Sequence, residues 1–180
     1  MSKVPLWLAA ALFVAGLLLA AVVFRSGTVR EMPPAPEVAP AALAALLDTK
    51  LPDVAGKEQA LSQWRGRILV VNYWATWCIP CRDEMPMFSK LSERYAAKGV
   101  QFVGIAADEK DKVVEHAREK PVVYPLLVGG PEIIKPTTAF GNGPLAVPFT
   151  VILDREGKVR TAVLGRVHED ALVKFIDALM

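Results

Sequence analysis

The distribution of apolar positions divides the chain into three unlike stretches. From Pro5 to Phe24 runs an unbroken apolar segment of Leu, Ala, Val, Phe and Trp, interrupted by one glycine, Gly16, and bounded by Lys3 and Arg25. At 1.5 Å per residue, about 20 residues reach across a ~30 Å hydrocarbon core. A cleaved signal peptide has a similar start, but no small-x-small site follows Phe24, where the sequence continues Arg25-Ser26-Gly27-Thr28. The segment therefore reads as a transmembrane anchor over 1–25, with a signal peptide as the competing reading. Lys3 on one side and Arg25 and Arg30 on the other leave its orientation open. Residues 26–47 read as a Pro-rich tether, since Pro33, Pro34, Pro36 and Pro40 favour extended backbone. Ala41 to Leu47 has the composition of a short helix.

The remainder, 48–180, has the alternation of strand and helix patterns that defines an α/β domain. Leu51-Pro52-Asp53 with Gly56-Lys57 and Leu61 predicts a small antiparallel hairpin as an N-terminal extension. Ile68 to Trp74 is a short, nearly continuous apolar run, the pattern of a central strand covered on both faces. Met85, Phe88, Leu91 and Tyr95 then recur at three- and four-residue intervals, and Lys98-Gly99 supplies a helix stop. Val100 to Ala106 is a second strand, parallel to the first through a right-handed crossover. Lys110–Lys120 reads as a helix, 124–128 as a short extended segment, and Glu132–Phe140 as a further helical turn or two. Phe149–Asp154 and Val159–Leu164 flank Arg155-Glu156-Gly157-Lys158 as a hairpin, and a helix with Leu172, Phe175, Ile176 and Leu179 inward closes the chain. The sum is a central mixed sheet flanked by helices.

Composition narrows the function. Twenty-one Lys and Arg against 19 Asp and Glu give a net charge of +2 without a basic block, so nucleic acid is not an expected partner. The 53% hydrophobic content owes much to the N-terminal run. There are only two cysteines, Cys78 and Cys81, which excludes a multiply bridged secreted scaffold.

Trp77-Cys78-Ile79-Pro80-Cys81 lies where a strand ends and a helix begins, and free backbone N–H groups there favour a thiolate. Cys78, at the exposed helix start, is the expected nucleophile, and Cys81, almost one turn in, resolves the mixed disulfide. A structural bridge over so short a loop restricts the unfolded chain little. A zinc site lacks ligands, because His116 and His168 fall on separate helices and read as solvated surface residues. Covalent haem attachment requires His at Arg82. No metal or separate cofactor is expected beyond the redox-active Cys78–Cys81 disulfide. A copper-binding delivery module using the same two thiolates is the alternative function.

Over roughly Leu51 to Met180 the sequence resembles the TlpA-like (ResA-type) branch of the thioredoxin superfamily. The resemblance rests on Val70-Val71-Asn72-Tyr73-Trp74-Ala75-Thr76-Trp77-Cys78-Ile79-Pro80-Cys81, on Arg82-Asp83-Glu84-Met85-Pro86, and on Val103-Gly104-Ile105-Ala106, Tyr124-Pro125 and Val147-Pro148-Phe149-Thr150. It implies a thioredoxin fold over 48–180. It also implies an inner-membrane, single-pass protein with its catalytic domain on the periplasmic side. The activity would be reduction of disulfides in exported proteins, cytochrome c or copper-protein precursors among them, with a membrane thiol electron donor. It further implies that Val147-Pro148 is a cis peptide in the substrate groove, with Trp77, Ile79 and Pro80 supporting the motif. Classical thioredoxins carry a buried aspartate where this chain has Asn72, an amide that cannot take a proton in turnover. The resemblance transfers that part to Glu84; the alternative is a solvated glutamate on the helix surface. The related peroxiredoxin-type peroxidase pattern calls for Thr and Pro where Ala75 and Val71 stand.

Overall fold

The computed structural model describes residues 31–180. The apolar run from Pro5 to Phe24, with the anchor assigned to 1–25, lies outside the described residues. Among the described residues no helix is long and apolar enough to cross a membrane.

The elements in chain order are α1 (Pro40–Leu47), β1 (Lys50–Pro52), β2 (Glu58–Ala60), a 3-10 turn (Leu61–Trp64), β3 (Ile68–Trp74), α2 (Ile79–Ala96), β4 (Val100–Ala106) and α3 (Lys110–Glu119). There follow β5 (Leu126–Val128), a 3-10 segment (Pro131–Phe140), β6 (Phe149–Leu153), β7 (Val159–Leu164) and α4 (Glu169–Leu179). The main sheet has the order β5-β4-β3-β6-β7, with β3 parallel to β4 and antiparallel to β6, and β1-β2 form a separate hairpin. Every residue of β3 is buried, as its apolar run requires of a strand covered on both faces.

Side chains alternate across the sheet into two cores. Val70 and Trp74 of β3, with Phe102 of β4 and Ile152 of β6, meet Met85, Phe88, Leu91 and Tyr95 of α2 and Leu172 and Ile176 of α4. Leu69, Val71 and Tyr73 project the other way, onto Leu46 and Leu47 of α1, Leu61 and Phe140. Deleting one of these large side chains, Phe88 for example, costs about 3–5 kcal/mol, a sizeable part of a domain's stability.

The packed unit begins at Met32, upstream of the boundary at residue 48 and inside the stretch read as a tether. Met32 packs on the α2 side of the sheet, the Thr161 hydroxyl of edge strand β7 donates to the Pro33 carbonyl at 2.7 Å, and Val38, Ala42 and Leu43 pack on the opposite core. The Pro-rich segment thus passes round the β7 edge. Its apolar residues have no helical or strand period, so their burial leaves no pattern in the sequence.

His116 departs from the surface reading. It is buried on α3, its ring tilted by 50° against that of Trp74 with centroids 5.1 Å apart. The 131–140 stretch is a 3-10 helix, and Pro136 inside it withholds one backbone donor.

Candidate active site

The site is built where β3 hands over to α2. After Trp74 the chain turns through Ala75-Thr76-Trp77, and Cys78 takes the N-cap of α2 in extended conformation. Its Sγ accepts the Cys81 N–H at 3.3 Å, so the sulfur lies on the unpaired amides of the helix start. Cys78 and Cys81 are joined as a disulfide. Sequence reasoning places the Cys78 sulfur in the open; in this oxidised state Cys78 is 4% exposed and Cys81 0%, which keeps their order but shields both. The exposed rim is apolar instead, with Trp77 68% and Ile79 62% exposed. Pro80 and Pro86 both lie within α2, which runs unbroken to Ala96.

The turn before the nucleophile is tied down by a residue outside every motif of the sequence. Asp108 is buried just beyond β4, and its Oδ2 accepts both the backbone N–H of Thr76 (3.1 Å) and its hydroxyl (2.5 Å). Burial pushes its carboxyl up, but the bonds from Thr76 and Glu109 and the charge of Lys112 outweigh this and leave it below the usual range. Its position two residues past a strand end is the only signal of it in the sequence.

Val147-Pro148 is cis. Pro148 immediately precedes β6, whose Phe149 pairs with Tyr73 near the end of β3, so the loop lies alongside the turn that carries the cysteines. The loop is held from beneath by Asn142, also missed in the sequence. Asn142 is fully buried, donates to Thr137 Oγ1 (2.9 Å) and the Ala146 carbonyl (3.0 Å), and accepts the Ala146 N–H (3.0 Å).

Glu84 is not a solvated surface residue. It projects from α2 into the core three residues after Cys81 and is 0% exposed. Asn72 Nδ2 donates to its Oε1 at 2.9 Å and the Val167 N–H to its Oε2 at 3.0 Å. Burial pushes its carboxyl up to about 7, against the opposing bonds from Val167 and Asn72 and the charge of Arg166. A group that titrates near neutrality and sits one helical turn from the resolving cysteine is suited to exchange a proton with it. Among the described residues no three His, Cys, Asp or Glu side chains converge to hold a metal ion.

Residues 43–162 match the model of the AhpC/TSA family. The thiol-disulfide oxidoreductase ResA of Bacillus thuringiensis subsp. konkukian is 32% identical over 126 residues, 69% of this chain and 70% of its own length. The chain belongs to this family, as a ResA-type thiol-disulfide oxidoreductase. The ResA of Geobacillus thermodenitrificans is 29% identical over 133 residues, 73% of this chain and 74% of its own. Among solved structures, a thiol:disulfide interchange protein of the thioredoxin family from Chlorobium tepidum superposes with a TM-score of 0.67 at 24% identity, over 83% of this chain and 99% of that one, which shows the fold. In this ResA-type chain the disulfide follows the end of β3, the cis peptide leads into β6 beside it, and the buried glutamate bonds Asn72 within it.

Proposed function

We propose that the protein is a dithiol reductant of disulfides in exported proteins, held to the inner membrane by its Pro5–Phe24 segment with the folded domain on the periplasmic side. The observation that carries this reading is the buried Glu84 beside a Cys78–Cys81 pair whose rim is apolar and exposed. In the reduced protein the Cys78 thiolate attacks one sulfur of a target disulfide. That S–S bond breaks, a mixed disulfide forms, and the target's other sulfur leaves as a thiolate. Cys81 then gives its proton to the Glu84 carboxylate and attacks Cys78, breaking the mixed disulfide and releasing the second target thiolate. The target has gained two electrons, and the protein is left with the Cys78–Cys81 disulfide. A membrane thiol donor restores the dithiol. Pro80 in the second place between the cysteines supports the reducing direction, and precursors of cytochrome c or of copper proteins are the candidate targets.

Cys81→Ser removes the resolving thiol and should arrest the reaction at the mixed disulfide on Cys78. The proteins captured in cells should carry export signals and be released by dithiothreitol. Capture of cytoplasmic proteins alone, or no covalent capture, refutes the reading.

A further inference from the structure

Between α2 and α3 lies a cavity of about 350 Å³, walled by Arg82, Pro86 and Glu93 of α2 and by His116 of α3 with Lys120 and Val122 beyond it. Small-molecule sites occupy roughly 300–1,000 Å³, so the space is large enough for a short ligand. Arg82 ties one end of it to the disulfide loop, since it follows Cys81 directly and its N–H donates to the Cys78 carbonyl at 3.2 Å.

The charges around this space are unbalanced. Lys90, also in the wall, is engaged by Glu169 at 2.9 Å, but Arg82 and Lys120 form no ion pair among the described residues, and Glu93 is the one carboxylate in the wall. His116 is 9% exposed, and its imidazole has no hydrogen-bond partner among the described residues; its ring meets only that of Trp74. Buried polar groups are as a rule partnered. Burial and the charges of Arg82 and Lys120 hold the imidazole below its ordinary value, against the pull of Glu119. An anion placed among these three groups offsets their repulsion and supplies the imidazole with an acceptor.

The rest of the wall selects the anion. Met85, Pro86, Pro121 and Val122 are apolar, and Glu93 repels a multiply charged ligand. A single carboxylate on a short aliphatic stem meets both conditions, because its two oxygens match the guanidinium fork and its stem covers the apolar wall. We propose that the α2–α3 cavity binds a carboxylate carried on an aliphatic stem, between Arg82 and Lys120, and that His116 takes up a proton as it binds. The carboxylate belongs either to a free acid or to a Glu side chain of a target protein, and the second source rests on the reading of the protein as a reductant.

Isothermal titration of the oxidised full-length protein with butyrate, at fixed ionic strength, should give saturable binding that butyramide does not. Arg82→Gln and Lys120→Gln should each weaken it at least about fivefold, and both side chains are exposed, so the variants keep the fold. Affinity should rise roughly threefold from pH 8 to pH 6. Proton NMR should show butyrate moving the His116 titration to higher pH while His168, at the N-cap of α4, stays unmoved. No saturable binding, equal binding of butyramide, unweakened variants or an unmoved His116 titration overturns the inference. Reduction of a disulfide peptide carrying Glu, compared with the same peptide carrying Gln, names the source. A Glu preference that Arg82→Gln abolishes assigns the carboxylate to the target, and equal rates assign it to a free acid. Failure to reduce either peptide refutes the proposed reductant, while the butyrate result decides the site on its own.

Discussion

Replacing Glu84 with Gln tests the electrostatics of the site through stability, without any substrate. The carboxyl is raised from 4.5 to about 7 by burial, so the folded protein holds this proton more tightly than the unfolded chain does. Below about pH 4.5 both states are protonated and the group contributes no difference. As pH rises the unfolded chain releases its proton first, and stability falls until the folded state has also ionised, slightly above pH 7. A shift of about 2.5 units at 1.36 kcal/mol each gives a loss of roughly 3 kcal/mol across the window. Glutamine cannot ionise, so denaturant unfolding of the oxidised protein, followed by tryptophan fluorescence from pH 4.5 to 8.5, should give a wild-type curve that falls relative to the variant by about that amount. The disulfide-bonded cysteines do not titrate, and His116 contributes to both proteins and cancels in the difference. Stability curves that run parallel over this range would show that Glu84 ionises as an ordinary solvated carboxylate, and the mechanism built on it would fall.

Two further outcomes probe the rim and the loop. Trp77→Ala should leave stability within about 0.5 kcal/mol, because the indole is mostly exposed, while lowering the rate with a protein disulfide about fivefold more than with a small disulfide; equal effects on both substrates would show that Trp77 does not meet the target chain. Asn142→Ala removes three buried hydrogen bonds and should lower stability by about 3 kcal/mol, or roughly 6–12 °C in Tm. An unchanged melting temperature would show that the loop before Pro148 is held by other contacts.

What the sequence disclosed and what it withheld follow from the range of the interactions. The burial of Ile68–Trp74 on both faces, the helix through Phe88 and Tyr95, and the hairpin around Gly157 are local patterns, and each stands where the periodicity placed it. Cys78 and Cys81 declare themselves by spacing alone. Glu84 was visible only through the family resemblance, because a glutamate at a core position of α2 makes sense only once Asn72, 12 residues earlier, and Val167, 83 residues later, are brought to it. Asp108, Asn142 and the buried face of His116 depend on partners from other elements in the same way, and no one-dimensional pattern records them. The Pro-rich segment misled for the opposite reason: proline marks extended backbone, and extended backbone packs against a domain as readily as it spans solvent.

The path of that segment bears on how the protein avoids its own kind. A sheet with free outer strands is a template for pairing with any extended chain, and proline and covering loops are common means of blunting it. Here one outer strand, β5, is bridged by the N-terminal hairpin through Asp53 and Leu127, and the other, β7, is passed by backbone containing Pro33, Pro34 and Pro36. Guarding both flanks discourages runaway fibrous stacking of one sheet on the next.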